Sequence, residues 1–268
     1  MAATVLTRVN ARARELLGED VFDWTDRSYV IDWIVAAGLL LLSYIVSDSL
    51  PVFERDFSLE DPLISHKHTH QQISGTTNAL IALAVPFTIA GVIGIVRASL
   101  WEIHHGFLAI FSGRAIARLI TESLKNRVVS VQTSWQGVNG TRLFKHVLGT
   151  KLADVTDGRR SFPSGHSSTA FAGMTFISFF LAGKTAAWCF QAPISPTSIT
   201  GTRLGRLMLT LLPLAFAAWV AISRVEDYRH HKEDVVVGSL IGLFSSSICY
   251  LTFWPNPFTT EEWRVRVD

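Results

Sequence analysis

The stretch VVVGSLIGLFSSSICYLTFW, residues Val235–Trp254, decides the fold class of this chain. Its 20 residues carry no charge, and about 20 apolar residues in an α-helix span the hydrocarbon core of a bilayer. A second uncharged stretch, ALIALAVPFTIAGVIGIV at Ala79–Val96, has 18 residues. The two stretches predict transmembrane helices and hence an integral membrane protein.

The composition of the whole chain indicates the same class. Hydrophobic residues make up 49% of the 268 positions and charged residues only 17%, whereas soluble domains average about 25% charged residues. The mean hydropathy is +0.31. The formal net charge is only +2, so the chain lacks the basic excess that binds nucleic acid backbones. Nucleic acid is therefore not an expected partner.

Four further apolar segments complete a predicted bundle of six helices in one membrane domain, residues 29–254. Residues 1–28 form a polar N-terminal tail and residues 255–268 a C-terminal tail. An even number of spans places the loops before the second, fourth and sixth helices on one side of the membrane. The further segments are Tyr29–Val46, Leu100–Leu124, Ser168–Gly183 and Leu207–Ile222.

Charged residues interrupt the third segment, which makes it the least apolar of the six. Arg114, Arg118, Glu122 and Lys125 follow one another at intervals of four, four and three residues, which places them on one stripe of a helix. Such a stripe normally faces the bundle interior or a water-filled cavity. The alternative is an amphipathic helix that lies on the membrane surface.

The first chemical motif is Pro163-Ser164-Gly165-His166, directly before the fourth span. Its backbone N–H groups form the free N-terminus of a helix, where unpaired donors and the helix dipole attract anions. Gly165 lets a phosphate approach the backbone closely, and His166 can donate or accept a proton near neutral pH. Ser164 is equally suited to a plain helix N-cap, and the motif on its own favours that interpretation.

The second motif, SRVEDYRHHKED at residues 223–234, lies between the fifth and sixth spans. His230 and Asp234 are four residues apart, so at the start of a helix the carboxylate can accept the Nδ1–H of the ring. An imidazole oriented in this way is a nucleophile or base, as in a catalytic triad. Arg224 supplies a guanidinium suited to phosphate oxygens. His231 has no carboxylate four residues later, so the predicted nucleophile is His230.

Together these motifs resemble the type 2 phosphatidic acid phosphatase family, the membrane relatives of the vanadium haloperoxidases. The resemblance rests on Lys125 after the third helix, PSGH before the fourth and S-R-x5-H-x3-D before the sixth, and covers the chain from about Tyr29 to Trp254. Stretches such as LITESLKN and DGRRSFPSGHSSTAFAG are similar to fungal phosphatases of phosphatidate and diacylglycerol pyrophosphate. The implied fold is an all-α bundle of six transmembrane helices with the phosphatase site at one membrane face.

The resemblance also implies a Mg-independent lipid phosphate phosphatase that works through a phosphohistidine intermediate. His230 would attack phosphorus, Asp234 would orient its ring, and His166 would protonate the leaving oxygen and then activate water. No metal or cofactor is implied. The substrates would be phosphatidate, lysophosphatidate or diacylglycerol pyrophosphate, met on the luminal or extracellular side of a vacuolar, Golgi, ER or plasma membrane. The phosphoryl oxygens would be held by Lys125, Ser164, Gly165 and Arg224.

One motif of the family is incomplete in this chain. The family's first motif reads Lys, six residues, Arg, Pro, and after Lys125 the last two positions hold Gln132 and Thr133. The surrounding segment 128–149 is atypical as a whole, which indicates either a variant with weakened phosphate binding or inserted sequence between two genuine exons. The alternative function is therefore a weakened or non-catalytic homologue that binds lipid phosphates.

Two other features have weaker functional interpretations. Arg127 or Arg142 could replace the missing cation of the first motif, but neither has its spacing. The tract HKHTH at His66–His70 could bind a metal through alternating histidines, but no set of carboxylates or cysteines completes a coordination shell. A solvated loop is the simpler interpretation of that tract.

Overall fold

The computed structural model describes residues 27–49, 70–128, 160–189 and 202–259. Apart from Val128, the atypical segment 128–149, with Gln132 and Thr133, lies outside these residues, and so does the histidine tract except for His70. The described residues fold as an all-α bundle, which confirms the predicted class. Its six helices are α1 Arg27–Ser49, α2 Gly75–Val96, α3 Leu100–Arg127, α4 Gly165–Thr185, α5 Arg203–Glu226 and α6 Lys232–Phe253.

The helix boundaries follow the predicted segments closely. The first five segments lie inside α1 to α5, and the last is displaced because α6 begins at Lys232 and ends at Phe253. Serine side chains cap three of the starts, at Ser74, Ser99 and Ser164. Ser74 Oγ accepts the backbone N–H of Thr77 at 3.1 Å, and Ser99 Oγ accepts that of Glu102 at 3.2 Å. These N-caps satisfy backbone donors that the first turn leaves unpaired.

Four of the six helices are long and apolar enough to cross a membrane, namely α1, α2, α5 and α6. The other two fall short for different reasons. α3 carries the charged stripe, and α4 is rich in serine, threonine and glycine, which lower its hydropathy. The prediction of a membrane protein is thus supported by four candidate spans rather than by six.

α3 packs against α1, α2, α4 and α6 and so lies inside the bundle. Its polar stripe meets neighbouring helices. Arg114 donates a hydrogen bond to Thr169 on α4, and the Arg118 guanidinium lies 4.1 Å from the centre of the Tyr44 ring on α1. A helix that lay on the membrane surface would not make these contacts, so the interior interpretation of the stripe fits the structure.

Glycine residues allow α4 and α6 to approach each other closely. A Cβ atom built on Gly242 would lie 2.3 Å from the Ser168 carbonyl oxygen, and one on Gly238 would lie 2.4 Å from the Ser164 carbonyl oxygen. Any larger residue at these positions would collide with backbone. Small residues at helix contacts bring helix backbones together in the same way in membrane proteins generally.

The two ends of the bundle carry different polar groups. At one end Glu102 Oε1 lies 2.6 Å from Lys184 Nζ and 3.0 Å from Arg97 Nε, and Lys184 lies 5.0 Å from the centre of the Trp254 ring. The C-termini of α3 and α5 meet the N-termini of α4 and α6 at the other end. Both chemical motifs of the sequence lie there.

Candidate active site

The PSGH motif forms the first turn of α4 and lies beside Lys125 at the end of α3. Ser164 is the N-cap of α4, and its Oγ accepts the Ser167 backbone N–H at 3.4 Å. Lys125 Nζ lies 3.2 Å from the point where a Cβ on Gly165 would stand. The absence of a side chain at Gly165 therefore brings an ammonium group against a helix N-terminus, and both attract anions.

His230 and Asp234 are close to each other, but not for the reason that the spacing predicts. α6 begins at Lys232 with His231 as its N-cap, so His230 lies before the helix. Asp234 Oδ2 accepts the backbone N–H of His231 at 3.1 Å, and His230 Nδ1 lies 3.5 Å from the same oxygen. The predicted proximity is present, whereas the helical register from which we predicted it is wrong.

A serine that the motifs do not include lies between these two groups. Ser161 Oγ is 2.5 Å from Asp234 Oδ2 and 3.2 Å from His230 Nδ1. Ser161 is not predictable from the sequence, because its partners are 69 and 73 positions away. No local pattern announces such a contact. The histidine ring is thus positioned by a carboxylate and a hydroxyl together.

Arg224 is almost completely buried, with 1% of its surface exposed. Its Nη2 donates to Asp227 Oδ2 at 2.8 Å, and Asp227 in turn accepts the Gln72 backbone N–H at 3.0 Å. Arg224 Nη1 is buried and has no hydrogen-bond partner among the residues that the structure describes. A buried guanidinium with its Nη1 group unpaired is suited to bind an anion, because unpaired buried donors are costly.

His166 occupies the second position of α4, before the apolar part of that helix. Asn78 Nδ2 donates to its backbone carbonyl at 2.9 Å, and its Nε2 is buried without a partner in the described part of the chain. Burial, and then the positive charges of Arg224, His230 and Lys125, lower the pKa of His166 to about 3. The ring is therefore neutral at pH 7 and close to several cations.

His230 and its neighbour His231 both lie near Asp234. The ring Nδ1 atoms are 3.5 Å and 3.6 Å from Asp234 Oδ2, so the distance to Asp234 does not show which of the two rings is the nucleophile. Contacts with other residues distinguish them. Ser161 contacts His230, and burial lowers the pKa of His230 below 6.5, opposed by the Asp234 hydrogen bond and assisted by the charge of Lys125. The contact with Ser161 and the nearby charge of Lys125 therefore favour His230 as the reacting ring.

A backbone hydrogen bond joins the two motifs. The Ser164 N–H donates to the Asp234 carbonyl at 2.9 Å, so the first turn of α4 and the first turn of α6 are held in register. The structure places every residue of the predicted site at this end of the bundle. They are His230, His166, Asp234, Lys125, Ser164, Gly165 and Arg224.

Comparison with known proteins assigns the family. Residues 126–258 match the PAP2 superfamily. Lipid phosphate phosphatase 2 of Arabidopsis thaliana is 33% identical over 247 residues, which cover 88% of this chain and 81% of the relative. The chain belongs to the PAP2 superfamily. This membership confirms the predicted resemblance and the prediction of a phosphatase-type hydrolase.

Two fungal relatives of this PAP2 chain carry the other expected name. The probable diacylglycerol pyrophosphate phosphatase 1 of Schizosaccharomyces pombe is 32% identical, covering 80% of this chain and 77% of the relative. Diacylglycerol pyrophosphate phosphatase 1 of Saccharomyces cerevisiae is 31% identical, covering 81% and 76%. No solved structure gives a significant match.

Arg229 is a second residue of this PAP2 site that the sequence analysis missed. Its backbone N–H donates to the Arg224 carbonyl at 3.0 Å, and its positive charge helps to lower the pKa of His166. Arg229 immediately precedes His230 in the second motif, so its position in the sequence already indicated that it lies near the site.

Among the described residues, no group of three or more His, Cys, Asp or Glu side chains could hold a metal ion.

An apolar groove of about 310 Å³ runs between α3 and α6. It begins near the site, since Ile120 lies five residues before Lys125 and Val237 lies three residues after Asp234. The groove follows the same two helices away from the cations. Its lining consists of Ile116, Ile120, Val237, Leu240, Ile241, Phe244, Ser245 and Ile248.

Removing the Ser161 hydroxyl is expected to lower turnover without removing any proposed reacting group. In Ser161→Ala, His230 and Asp234 lose a shared hydrogen-bond partner, and a hydrogen bond to a charged group contributes about 1.5–3 kcal/mol. We expect kcat to fall about ten- to a hundredfold in a phosphate-release assay. Ser161→Thr, which keeps the hydroxyl, is the control. Wild-type kcat in Ser161→Ala would show that the contact is incidental.

Proposed function

We propose that this PAP2 protein is a Mg-independent lipid phosphate phosphatase that hydrolyses phosphatidate, lysophosphatidate or diacylglycerol pyrophosphate through a phosphohistidine intermediate. The observation that carries the proposal is the position of His230. Its ring contacts Ser161 and approaches Asp234, while Lys125 and Arg224 lie nearby at the helix N-terminus of PSGH. The names of the relatives support the class of substrate.

The first chemical step would transfer the phosphoryl group to His230. Its Nε2 forms a bond to phosphorus while the bond from phosphorus to the lipid oxygen breaks. Asp234 and Ser161 hold the Nδ1 side of the ring. Lys125, Arg224, the Ser164 hydroxyl and the backbone N–H of Gly165 bind the nonbridging oxygens, where charge develops in the transition state.

The leaving lipid oxygen needs a proton, which His166 would supply. The resting ring is neutral because burial and nearby cations depress its pKa to about 3. A bound phosphate places negative charge beside it, which favours the protonated ring. In the second step His166 takes a proton from water, the water oxygen bonds to phosphorus, and the bond to His230 breaks to release inorganic phosphate.

We propose further that all six helices cross the membrane, as one domain at residues 29–254. The charges on α3 are compatible with this because they contact α1 and α4 inside the bundle, and polar groups within membranes generally face neighbouring helices. The site would then lie at one membrane face, on the luminal or extracellular side of an endomembrane or the plasma membrane. Lipid headgroups reach such a site directly.

A second candidate function is a lipid-phosphate-binding homologue without turnover. The observation that favours it is the incomplete first motif, where Gln132 and Thr133 replace the Arg and Pro of the family. Loss of one preorganised donor to the transferred group can lower kcat by about 10²–10³. Phosphate binding would survive that loss better than catalysis would.

Phosphate release in detergent micelles distinguishes these candidates. We expect the purified protein to release phosphate from phosphatidate in the presence of EDTA, and a rapid quench with labelled substrate to trap an acid-labile phosphohistidine. Turnover that requires added Mg²⁺ would contradict the metal-independent mechanism. Retention of phosphatidate without release would favour the binding homologue.

The groove between α3 and α6 would hold an acyl chain of the substrate. Leu240→Trp should fill part of it and lower kcat/KM for long-chain phosphatidate about tenfold, since a few lost methylene contacts are worth about 1–3 kcal/mol. Hydrolysis of a short-chain, soluble phosphate ester should not change. Leu42→Trp, at an exposed position on α1, is the control. Equal loss with both substrates would place the effect on folding instead.

A further inference from the structure

Arg160 lies at the phosphate end of the bundle, three residues before Pro163 of the PSGH motif. Its Nη2 is 2.8 Å from Glu122 Oε2, and the other oxygen of that carboxylate is 3.8 Å from Lys125 Nζ. Glu122 and Lys125 are three residues apart on α3 and share one face of the helix. One carboxylate therefore holds a guanidinium and an ammonium side by side.

Arg160 is also held in place through Ser161, the next residue in the chain. Ser161 contacts His230 Nδ1 and Asp234 Oδ2, so Arg160 is tied to Lys125 on one side and to the proposed nucleophile on the other. Its side chain is only 15% exposed, and its Nε is buried without a hydrogen-bond partner among the described residues. Part of the guanidinium is thus unused in a place where an anion is expected.

We propose that Arg160 supplies the second phosphoryl-binding cation that the first motif lacks. This inference rests on the proposed phosphatase function. The sequence holds Gln132 where the family has arginine, and Arg160 brings the same planar, doubly donating group to Lys125 from a different part of the chain. Glu122 reduces the repulsion between the two cations before an anion binds. Arg127 cannot serve in this way, since it is exposed at the end of α3.

In the proposed reaction Arg160 binds a nonbridging phosphoryl oxygen and takes part in no proton or bond transfer. Its contribution is electrostatic and is largest in the transition state, when charge accumulates on those oxygens. Arg160→Ala should therefore lower kcat/KM for phosphatidate by about 10²–10³. It should weaken inhibition to a similar extent by vanadate, a phosphate analogue that becomes five-coordinate when a nucleophile bonds to it. Arg160→Lys keeps the charge without the fork and should recover part of both.

Two matched variants distinguish phosphoryl binding by Arg160 from a purely structural ion pair between Arg160 and Glu122. Glu122→Gln keeps a hydrogen-bond acceptor for Arg160 and keeps both cations, so vanadate inhibition should stay within a few-fold of wild type. Arg127→Ala removes a cation from the same helix end and should change neither measurement. If Arg160→Ala and Glu122→Gln lose kcat/KM equally while vanadate inhibition is unchanged, Arg160 only fastens its turn to α3 and the inference is wrong.

Further controls keep the outcomes distinguishable. Thermal unfolding in detergent checks each variant, and Arg160→Gln replaces Arg160→Ala if the alanine variant does not fold. A wild-type protein that forms no phosphohistidine would contradict the proposed function itself. Normal phosphohistidine formation together with wild-type vanadate inhibition in Arg160→Gln would overturn only the role of Arg160.

Discussion

Replacing His230 by alanine is expected to reduce lipid phosphate hydrolysis to the background rate, whereas replacing His231 by alanine leaves a working enzyme. Loss of the nucleophile from a covalent mechanism lowers kcat on the order of 10⁶-fold. His231 is a matched control, because its Nδ1 lies 3.6 Å from the same Asp234 oxygen as His230 Nδ1, at 3.5 Å. The pair tests which ring reacts rather than whether a histidine near Asp234 matters.

Phosphate release and phosphoenzyme labelling in both variants measure the effect. We expect no label in His230→Ala and label in His231→Ala. The backbone N–H of His231 caps α6 and remains in the alanine variant, so thermal stability should change little. The reverse result, with label retained in His230→Ala and lost in His231→Ala, would transfer the nucleophile to His231.

Adding a methyl group at Gly238 is expected to impair stability and activity together. The new Cβ would lie 2.4 Å from the Ser164 carbonyl oxygen and 3.3 Å from the Ser164 nitrogen. That nitrogen donates to the Asp234 carbonyl, so α6 cannot move away from α4 without separating the PSGH turn from His230 and Asp234. Overpacking of this kind costs about 1–3 kcal/mol, and a displacement of about 1 Å in a reacting group can lower the rate about a hundredfold.

Gly38→Ala is the matched control for Gly238→Ala. Gly38 lies in α1, and a Cβ built there has nothing within 4 Å. Thermal unfolding and phosphate release in the same detergent should therefore stay at wild-type values. Wild-type stability and activity in Gly238→Ala would mean that α4 and α6 can separate without consequence for the site.

The helices were predictable from the sequence because apolar length is a local property. The uncharged stretches predicted α2 and α6, and the four-residue spacing of Arg114 and Arg118 predicted a helix that turns its charges inward. Apolar length supports only four of the six predicted spans, since α3 and α4 owe their place in the bundle to contacts with other helices. The hydropathy of a segment contains no information about such contacts.

The site was predictable only where its residues lie close together in the sequence, in short motifs. PSGH and the segment around His230 identified their own residues, and the structure brings them together. Ser161 and Arg160 were not predictable because their partners, His230, Asp234 and Glu122, are distant in the sequence. The register at His230 was misjudged because capping by Asp234, rather than helical spacing, sets the start of α6.

A single oxygen, Asp234 Oδ2, accepts hydrogen bonds from the backbone N–H of His231 and the hydroxyl of Ser161, and His230 Nδ1 lies 3.5 Å from it. The first of these contacts maintains a helix and the last would serve catalysis. A lineage that abandons hydrolysis can therefore discard His230 at little cost to its fold, but it cannot discard Asp234 so easily. In inert descendants of such a chain, we expect the aspartate to outlast the histidine.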